Sequence, residues 1–355
     1  PIPAGQTRGS PLARGVPPVT QDGPHDRDFG WNNRIWPAME AEEVPTLSVI
    51  MANHNGGAYL RAAIGSVLAQ TLQDIEVIVA DDCSADDSVV IARELASQDG
   101  RVRVLTAPAN TGPGASRNRA LDAARGDWVA VVDSDDLILP DRFRRMLDHA
   151  AGATADIVAD NLSLFSDAGG ADLGHLLPAD IAQGLVAVTP DAFLRSELPG
   201  PGHAPLGYLK PLIRRDRIGE MRYREDLRVG EDHDFLLRLL LKGLSMTVMP
   251  DAFYRYRKRE GSVSHRLKPA DIRAMIAAQD RLAPAIGPST ELQRLFAQRR
   301  KNLCRELRFA ELVGRIKGRD PLGALAIMLR DPPLVRNLAR AAREHLARKD
   351  HSIAR

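Results

Sequence analysis

Four short apolar segments alternating with helix-forming stretches constrain this chain more than any other feature. They are Leu47–Ala52, Glu76–Ala80, Val102–Leu105 and Trp128–Val132. Runs this apolar read as strands covered on both faces. Between them lie a helix through Leu60, Ile64, Val67 and Leu68, a second carrying Val89, Val90, Ile91 and Leu95 with Ser84 or Asp86 as its cap, and a third over Ser116–Ala124. Such alternation predicts a mainly parallel α/β sheet flanked by helices. Ligands in these sheets bind outside the carboxyl ends of the strands. Asn53, Asp82, Asn110 and Asp133 all follow strand ends, so they should converge on one rim although they are far apart in sequence.

The bulk numbers exclude several classes. With 355 residues, 44% hydrophobic and 26% charged, the chain can bury one large core or two smaller ones. A net charge of +2 makes no case for nucleic acid. Two cysteines, Cys83 and Cys304, far apart in sequence, argue against a disulfide framework or a zinc site and fit a reducing compartment. No run reaches transmembrane length, and residues 1–44 lack the apolar centre of a signal peptide. The expectation is a cytoplasmic enzyme that touches a membrane surface without crossing it. Residues 1–44, rich in Pro, Gly and charge, read as a flexible arm, with Trp31 and Trp36 able to dock it. A domain over 45–268 follows, then a helical region over 269–355. Asp156–Asp160 and Thr247–Met249 read as further strands, and Phe235–Leu241 as a helix behind Gly230.

The chemistry gathers at strand exits. Asp133, Asp135 and Asp136 at the end of a buried strand would repel one another unless a cation sits between them, and hard divalent ions take oxygen ligands. The plainer alternative is a solvated acidic turn leading to a helix at Pro140-Asp141. Asp82 could accept hydrogen bonds from a base or a ribose, or cap a helix. Asn53 and Asn55 could contact a ligand or shape the turn. Arg117, near a helix start after a Gly-rich loop, suits phosphate oxygens. That loop lacks the Gly-Lys-Ser/Thr ending of a P-loop, and no Gly-x-Gly-x-x-Gly follows the first strand. Glu231-Asp232 opens a helix whose dipole favours carboxylates, and Asp232 is either structural or a general base. Tyr254–Arg259 and Gly261–His265 read as a basic loop that could close over a diphosphate, or as a solvated charge run.

In this order, Ser48–Asn55, Gln70-Thr71-Leu72, Ile78–Asp86, Gly112–Asn118, Gly126-Asp127-Trp128 and Asp133–Asp136 resemble the family 2 glycosyltransferases of GT-A fold. Glu231-Asp232 and Ser262-Val263-Ser264 extend the likeness to about residue 265. Ala159–Leu162, Gly207–Pro211 and Gly230–Asp232 are similar to bacterial exopolysaccharide glucosyltransferases of the succinoglycan type. The resemblance implies a Rossmann-like sheet with a nucleotide-sugar half (45–150), an acceptor half (151–268) and a C-terminal helical extension. It implies transfer of a sugar, glucose by default, with inversion, from a UDP-sugar to an acceptor hydroxyl, as on a lipid-linked oligosaccharide. Ala52, Asn53, Asn55, Asp82, Arg117, Asp133 and Ser134 would bind the donor, and Lys210 and Glu231 the acceptor. Asp133 and Asp135, with Asp136 assisting and His265 as a further ligand, would hold Mn²⁺ or Mg²⁺. Asp232 would be the general base.

The chain departs from the family where His54 follows Asn53. It also lacks Gln-x-x-Arg-Trp, so one sugar per encounter is expected rather than a polymer. Residues 291–355 carry 16 Lys/Arg against 7 Asp/Glu, a bias that suits anionic lipid, or helices that pack on the domain or pair in a dimer. Two rivals remain at this point. A nucleotidyltransferase would show Arg and Lys in a Gly-rich loop after the first strand, where Asn53–Gly57 has none. A non-catalytic sugar-nucleotide binder would bind UDP without turnover.

Overall fold

The structure, a computed structural model, describes residues 44–179, 187–200, 204–259, 267–287, 290–335 and 338. Trp31, Trp36 and His265 lie outside these residues, as does the arm apart from Val44. The first half follows the expected alternation: β1 (Leu47–Asn53), α1 (Gly57–Leu68), β2 (Ile75–Asp81), α2 (Ser88–Gln98), β3 (Val102–Thr106), α3 (Pro113–Ala123) and β4 (Trp128–Val131). Every residue of β2 is buried, and all but Ala52 of β1, as an unbroken apolar run demands. Glu76 sits inside β2 because its carboxylate accepts from Ser48 Oγ (2.7 Å) and Arg125 N (2.8 Å) and pairs with Arg103 (2.9 Å).

Strand β1 pairs in parallel with β2 on one side and β4 on the other, and β2 with β3. Strand order therefore reverses at β1, which opens a crevice between the ends of β1 and β4. Helix α3 begins at Pro113, three residues earlier than predicted, because proline at the first helical position forfeits no hydrogen bond. The φ of +92° at Gly112 supplies the turn before it. In α2 the buried face is Ser88, Ala92 and Leu95, and Val90 faces solvent, since consecutive helical residues cannot share one side.

The second half is mixed rather than parallel. Its elements are β5 (Leu137–Ile138), α4 (Arg142–Ala153), β6 (Ile157–Ser166), β7 (Asp172–His175), α5 (Pro190–Ser196), β8 (Leu212–Arg214), α6 (Arg215–Ile218), α7 (Glu231–Leu241) and β9 (Met246–Lys258). Strand β8 runs antiparallel to β4 and β6, β6 is parallel to β9, and β5 is antiparallel to β9. The order is β3-β2-β1-β4-β8-β6-β9-β5, with β7 on β6. The expected basic loop is overturned over Tyr254–Lys258: these residues continue β9, paired with β5 and β6. Their alternation of Tyr and Arg is a strand's two faces, one buried and one lined with charge.

Helices α8 (Pro269–Leu282), α9 (Thr290–Lys317) and α10 (Pro321–Arg330) follow, with residues 331–335 and 338 described beyond them. Leu282, Leu292, Leu295 and Phe296 share the core of the sheet, so α8 and α9 pack on the domain. A small separate cluster of Leu312, Ala324 and Leu334 holds α10 to α9. Among the described residues no helix is long and apolar enough to cross a membrane.

Candidate active site

A cleft of about 540 Å³ opens where the strand ends meet α7. Ala52, Asn53, Asp82, Asn110, Arg117, Asp133, Ser134, Asp135, Lys210, Glu231 and Asp232 all line it, so the rim expected from strand order is present. Asn53 closes β1, and its Nδ2 donates to Asp81 Oδ2 (2.8 Å) while its buried Oδ1 has no partner. A Cβ at Gly56 would lie 2.3 Å from that oxygen, so the backbone needs glycine to pass there.

Asn55 is not part of the cleft lining. It takes the left-handed φ of 53°, its N donates to Ser84 Oγ (2.8 Å), and its Oδ1 accepts from Ala85 N (2.8 Å). It shapes the turn, as an Asn in that backbone region commonly does. Asp82 is also engaged within the protein. It accepts from Thr111 N, Thr111 Oγ1 (2.7 Å), Gly112 N (2.7 Å) and Arg119 (3.0 Å). Burial pushes its carboxyl up, but the bonds from Thr111, Gly112 and Arg119 outweigh it and hold the carboxyl below its ordinary value. Asp82 thus builds the loop that walls the cleft.

The centre is a network of two cations and three carboxylates. Arg117 Nη1 meets Glu231 (2.6 Å) and Asp232 Oδ1 (3.4 Å), and its Nη2 meets Asp133 Oδ1 (3.0 Å). Lys210 Nζ bridges Asp133 Oδ2 and Asp232 Oδ2, both at 2.9 Å. Both cations are nearly buried, at 6% side-chain exposure, whereas Asp133 and Asp232 keep 23% and 19%, so the carboxylates face the cleft. The network joins the exit of β4 to the first turn of α7. Two further contacts position it: Arg142, itself wholly buried against Asp160, donates to the Lys210 carbonyl, and Arg117 lies over the Tyr223 ring at 5.7 Å.

Burial raises the Asp133 carboxyl, but Lys210 and Arg117 outweigh it and draw it down to about 2. Burial lowers Lys210, and Asp133 and Asp232 overcome this to hold it well above its ordinary value. Glu231 is raised by burial and by Asp232, with Arg117 opposing. The pair behind Asp133 behaves differently. Asp135 is raised by burial and by Asp133, with Arg259 (2.8 Å) opposing. Asp136 is raised well above its ordinary value by burial, Asp133 and Asp135. It accepts from Tyr254 Oη (2.9 Å) and Arg257 N (2.7 Å), and the same Tyr254 oxygen accepts from Asp133 N (3.0 Å). The phenol of β9 is therefore a strut under the acidic turn, which no feature of the linear sequence announced.

Among the described residues no three side chains form a ready metal cage. Asp133 has a cation on each oxygen, so the expectation that it ligates an ion meets an obstacle: Arg117 and Lys210 already neutralise it. Asp135 fits better. Its carboxyl is raised by burial and then by Asp133, and it has one cation, Arg259, where Asp133 has two, so a divalent ion beside it would relieve uncompensated negative charge.

The cleft is also lined from the end of α5, residues 206–208, α7 and α9, by Glu197, Tyr208, His233 and Arg299. These residues were not anticipated. His233 could have been suspected from its place beside Asp232. Arg299 is one of many arginines along α9, and nothing in the sequence marks it as a buried one.

The profile of the family described as Glycosyl transferase family 2 matches residues 48–193. The succinoglycan biosynthesis protein ExoO of Rhizobium meliloti is 37% identical over 84% of this chain and 85% of its own length. ExoU of the same organism is 30% identical over 68% and 70%. Among solved structures, Staphylococcus aureus TarS 1–349 in complex with UDP-GlcNAc superposes with a TM-score of 0.59 over 81% of this chain and 92% of that one, at 19% identity. The Pyrobaculum calidifontis mannosyltransferase PcManGT with GDP-Man and Mn²⁺ has a TM-score of 0.51 over 86% and 81%, at 15% identity. The mixed sheet, the acidic strand exit facing the head of α7 and these likenesses agree: the chain belongs to glycosyltransferase family 2 and is a glycosyltransferase of GT-A fold with relatives in exopolysaccharide biosynthesis.

Proposed function

We propose that this enzyme moves a single sugar from a UDP-sugar to an acceptor hydroxyl with inversion, and that the acceptor is a lipid-linked oligosaccharide. The observation that carries this reading is the Arg117–Lys210 bridge, which places Asp232 one cation away from the donor strand exit at Asp133. A carboxylate there can take the proton of an acceptor hydroxyl whose oxygen attacks the anomeric carbon. The bond from that carbon to the diphosphate oxygen breaks, and its electron pair leaves with UDP. Arg117 and Lys210 are placed to share their charge with the departing diphosphate. Asn53 and Ser134 lie beside the same end of the cleft, and Glu231 keeps Arg117 in place.

The donor class draws support from TarS, which binds UDP-GlcNAc on this fold; glucose is the first sugar to test. A Mn²⁺ or Mg²⁺ ion at Asp135, with Asp136 behind it, would supply positive charge for the diphosphate oxygens. A surface feature bears on the acceptor. Leu322, Leu325 and Leu329 of α10 are 79%, 49% and 72% exposed on one helical face, and Lys317, Arg319 and Arg330 flank them in exposed positions. Leucines ringed by cations suit the surface of an anionic bilayer, where a lipid-linked acceptor resides.

The test is UDP release from a panel of UDP-sugars, with and without Mn²⁺ or Mg²⁺, by the natural protein and Asp232→Asn. One preferred donor, with a rate cut about 10²–10⁴-fold in the variant while UDP still binds, supports the mechanism. An unchanged rate removes Asp232 as the base. Pelleting with vesicles containing anionic lipid, compared with a Leu322/Leu325/Leu329 triple Ser variant, tests the surface; equal pelleting of both excludes α10.

A further inference from the structure

The part of the cleft lined from α5, α7 and α9 holds buried polar groups that the transfer reaction does not use. His233 is 8% exposed, stacked on Phe193 at 5.1 Å between ring centres, and neither of its ring nitrogens has a hydrogen-bond partner. Its Nδ1 lies 3.5 Å from Glu197 Oε2, and the other oxygen of Glu197 accepts from Gly207 N (2.9 Å). Arg299, also 8% exposed, donates to Gln279 Oε1 (2.5 Å), and no carboxylate among the described residues lies within ion-pair distance of it. All three residues line the cleft, His233 and Arg299 also border a small cavity of about 10 Å³ beside Gln279, and Tyr208, 40% exposed, lines the cleft with them.

A buried guanidinium whose one side-chain acceptor is Gln279, and an imidazole whose Nε2 has no partner and whose Nδ1 has only the long contact to Glu197, are costly unless something completes them. The chemistry of the filler follows from the charges. Glu197 and Arg299 carry opposite charges, Glu306 and Asp234 also act on Arg299, and burial together with the Arg299 charge holds His233 below its ordinary value, with Glu197 opposing. An anion would meet Glu197, and a cation would meet Arg299. Hydroxyls, which both donate and accept, match a carboxylate, a guanidinium and an imidazole at once. The phenol ring of Tyr208 and the thioether of Met275 add apolar surface. The site adjoins the proposed base, since His233 follows Asp232 on α7, and it shares the cleft with Asn53 and Asp82 of the strand ends.

We propose that Glu197, His233 and Arg299, with Tyr208, form a subsite for an uncharged sugar unit of the acceptor, next to the unit whose hydroxyl attacks. This assignment rests on the transferase reading for its role, but the binding itself does not require turnover. Gly207 sets the width of the subsite. A Cβ there would lie 3.0 Å from Glu197 Oε1 and 3.1 Å from the His233 Cβ.

The experiment is saturation-transfer NMR of the full chain with cellobiose, gentiobiose, lactose and maltose, each beside methyl β-glucoside, in the presence of UDP. At least one disaccharide is expected to bind more tightly than the monosaccharide. Arg299→Ala, and separately His233→Phe, which keeps the ring stack, should weaken that disaccharide about tenfold or more, the loss expected for a charge-assisted hydrogen bond. Arg299→Lys should recover part of it. UDP binding, titrated in the same samples, reports whether each variant is folded and whether the donor end is intact. No transfer to any disaccharide, or equal affinities in the natural protein and both variants, overturns the subsite. A failure of UDP to bind the natural protein would instead sink the donor assignment and leave the saccharide result to be judged by itself.

Discussion

Replacing Arg117 by Met tests the central network. Arg117 is the shared partner of Asp133, Glu231 and Asp232, and its removal leaves Lys210 as the one cation among the three. Removing one partner of a buried ion pair costs about 3–5 kcal/mol. At about 2 °C per kcal/mol for a domain of this size, the melting temperature at neutral pH should fall by about 6–10 °C. The pH dependence follows from the carboxyl shifts. Asp133 is drawn down to about 2, so its contribution, about 2 kcal/mol, is present above about pH 4 and fades as pH falls toward about 2. Glu231 is already raised, and without Arg117 it rises further, as does Asp133. Protonation then relieves the variant at mildly acid pH. The gap between natural protein and variant should be widest at pH 7 to 8 and narrow toward pH 5. Differential scanning fluorimetry across that range, with a urea titration at its two ends, measures it. A fall below about 2 °C at pH 7, or a gap that widens as the pH drops, would refute the assignment of Arg117 as the neutralising centre.

Further outcomes follow from single contacts. Arg142→Met leaves Asp160 wholly buried without its partner and frees the Lys210 carbonyl; urea unfolding should show a loss of about 3–5 kcal/mol, and a loss under 1 kcal/mol would count against a structural role. Gly126→Ala puts a Cβ 2.6 Å from Ser48 N on β1, and its cost of about 1–3 kcal/mol should appear as a lower urea midpoint. Tyr254→Phe removes the hydroxyl shared by Asp136 and Asp133 N; the expected result is a stability loss of about 1–3 kcal/mol with a weaker response of UDP release to Mn²⁺, and an unaltered metal response would separate Tyr254 from the acidic turn. Asp82→Ala unties the Thr111–Gly112 loop and should raise the KM for the UDP-sugar; an unchanged KM would show that the loop does not shape the donor end.

The strand ends and the rim they form were legible because buried parallel strands write themselves as continuous apolar runs and the polar residue after each run must sit at the carboxyl edge. Past residue 150 the same logic found the strands around Asp156–Asp160 and Thr247–Met249 and the helix over Phe235–Leu241, but it failed at the basic segment. Tyr254–Lys258 alternates aromatic and basic residues, which in isolation fits a charged loop as well as a strand, and only its pairing with β5 and β6 decides between them. The acidic residues at 133–136 and 231–232 were marked in the sequence, but their partners were not. Ion pairs such as Lys210 with Asp133 and Asp232 join residues 77 and 22 positions apart, and no local pattern encodes them. Asn55 and Asp82, which pointed to a ligand by type and position, spend their hydrogen bonds on the turns beside them, because backbone N–H groups at strand exits need acceptors once water is excluded. Local composition and periodicity thus determined the alternating half of the sheet, the place of the cleft and the kind of chemistry at its edge. Tertiary packing alone decided which carboxylates face cations, which arginine on α9 is buried, and how the strand exits and α7 are brought within one ion pair of each other, since those are consequences of long-range burial and charge neutralisation.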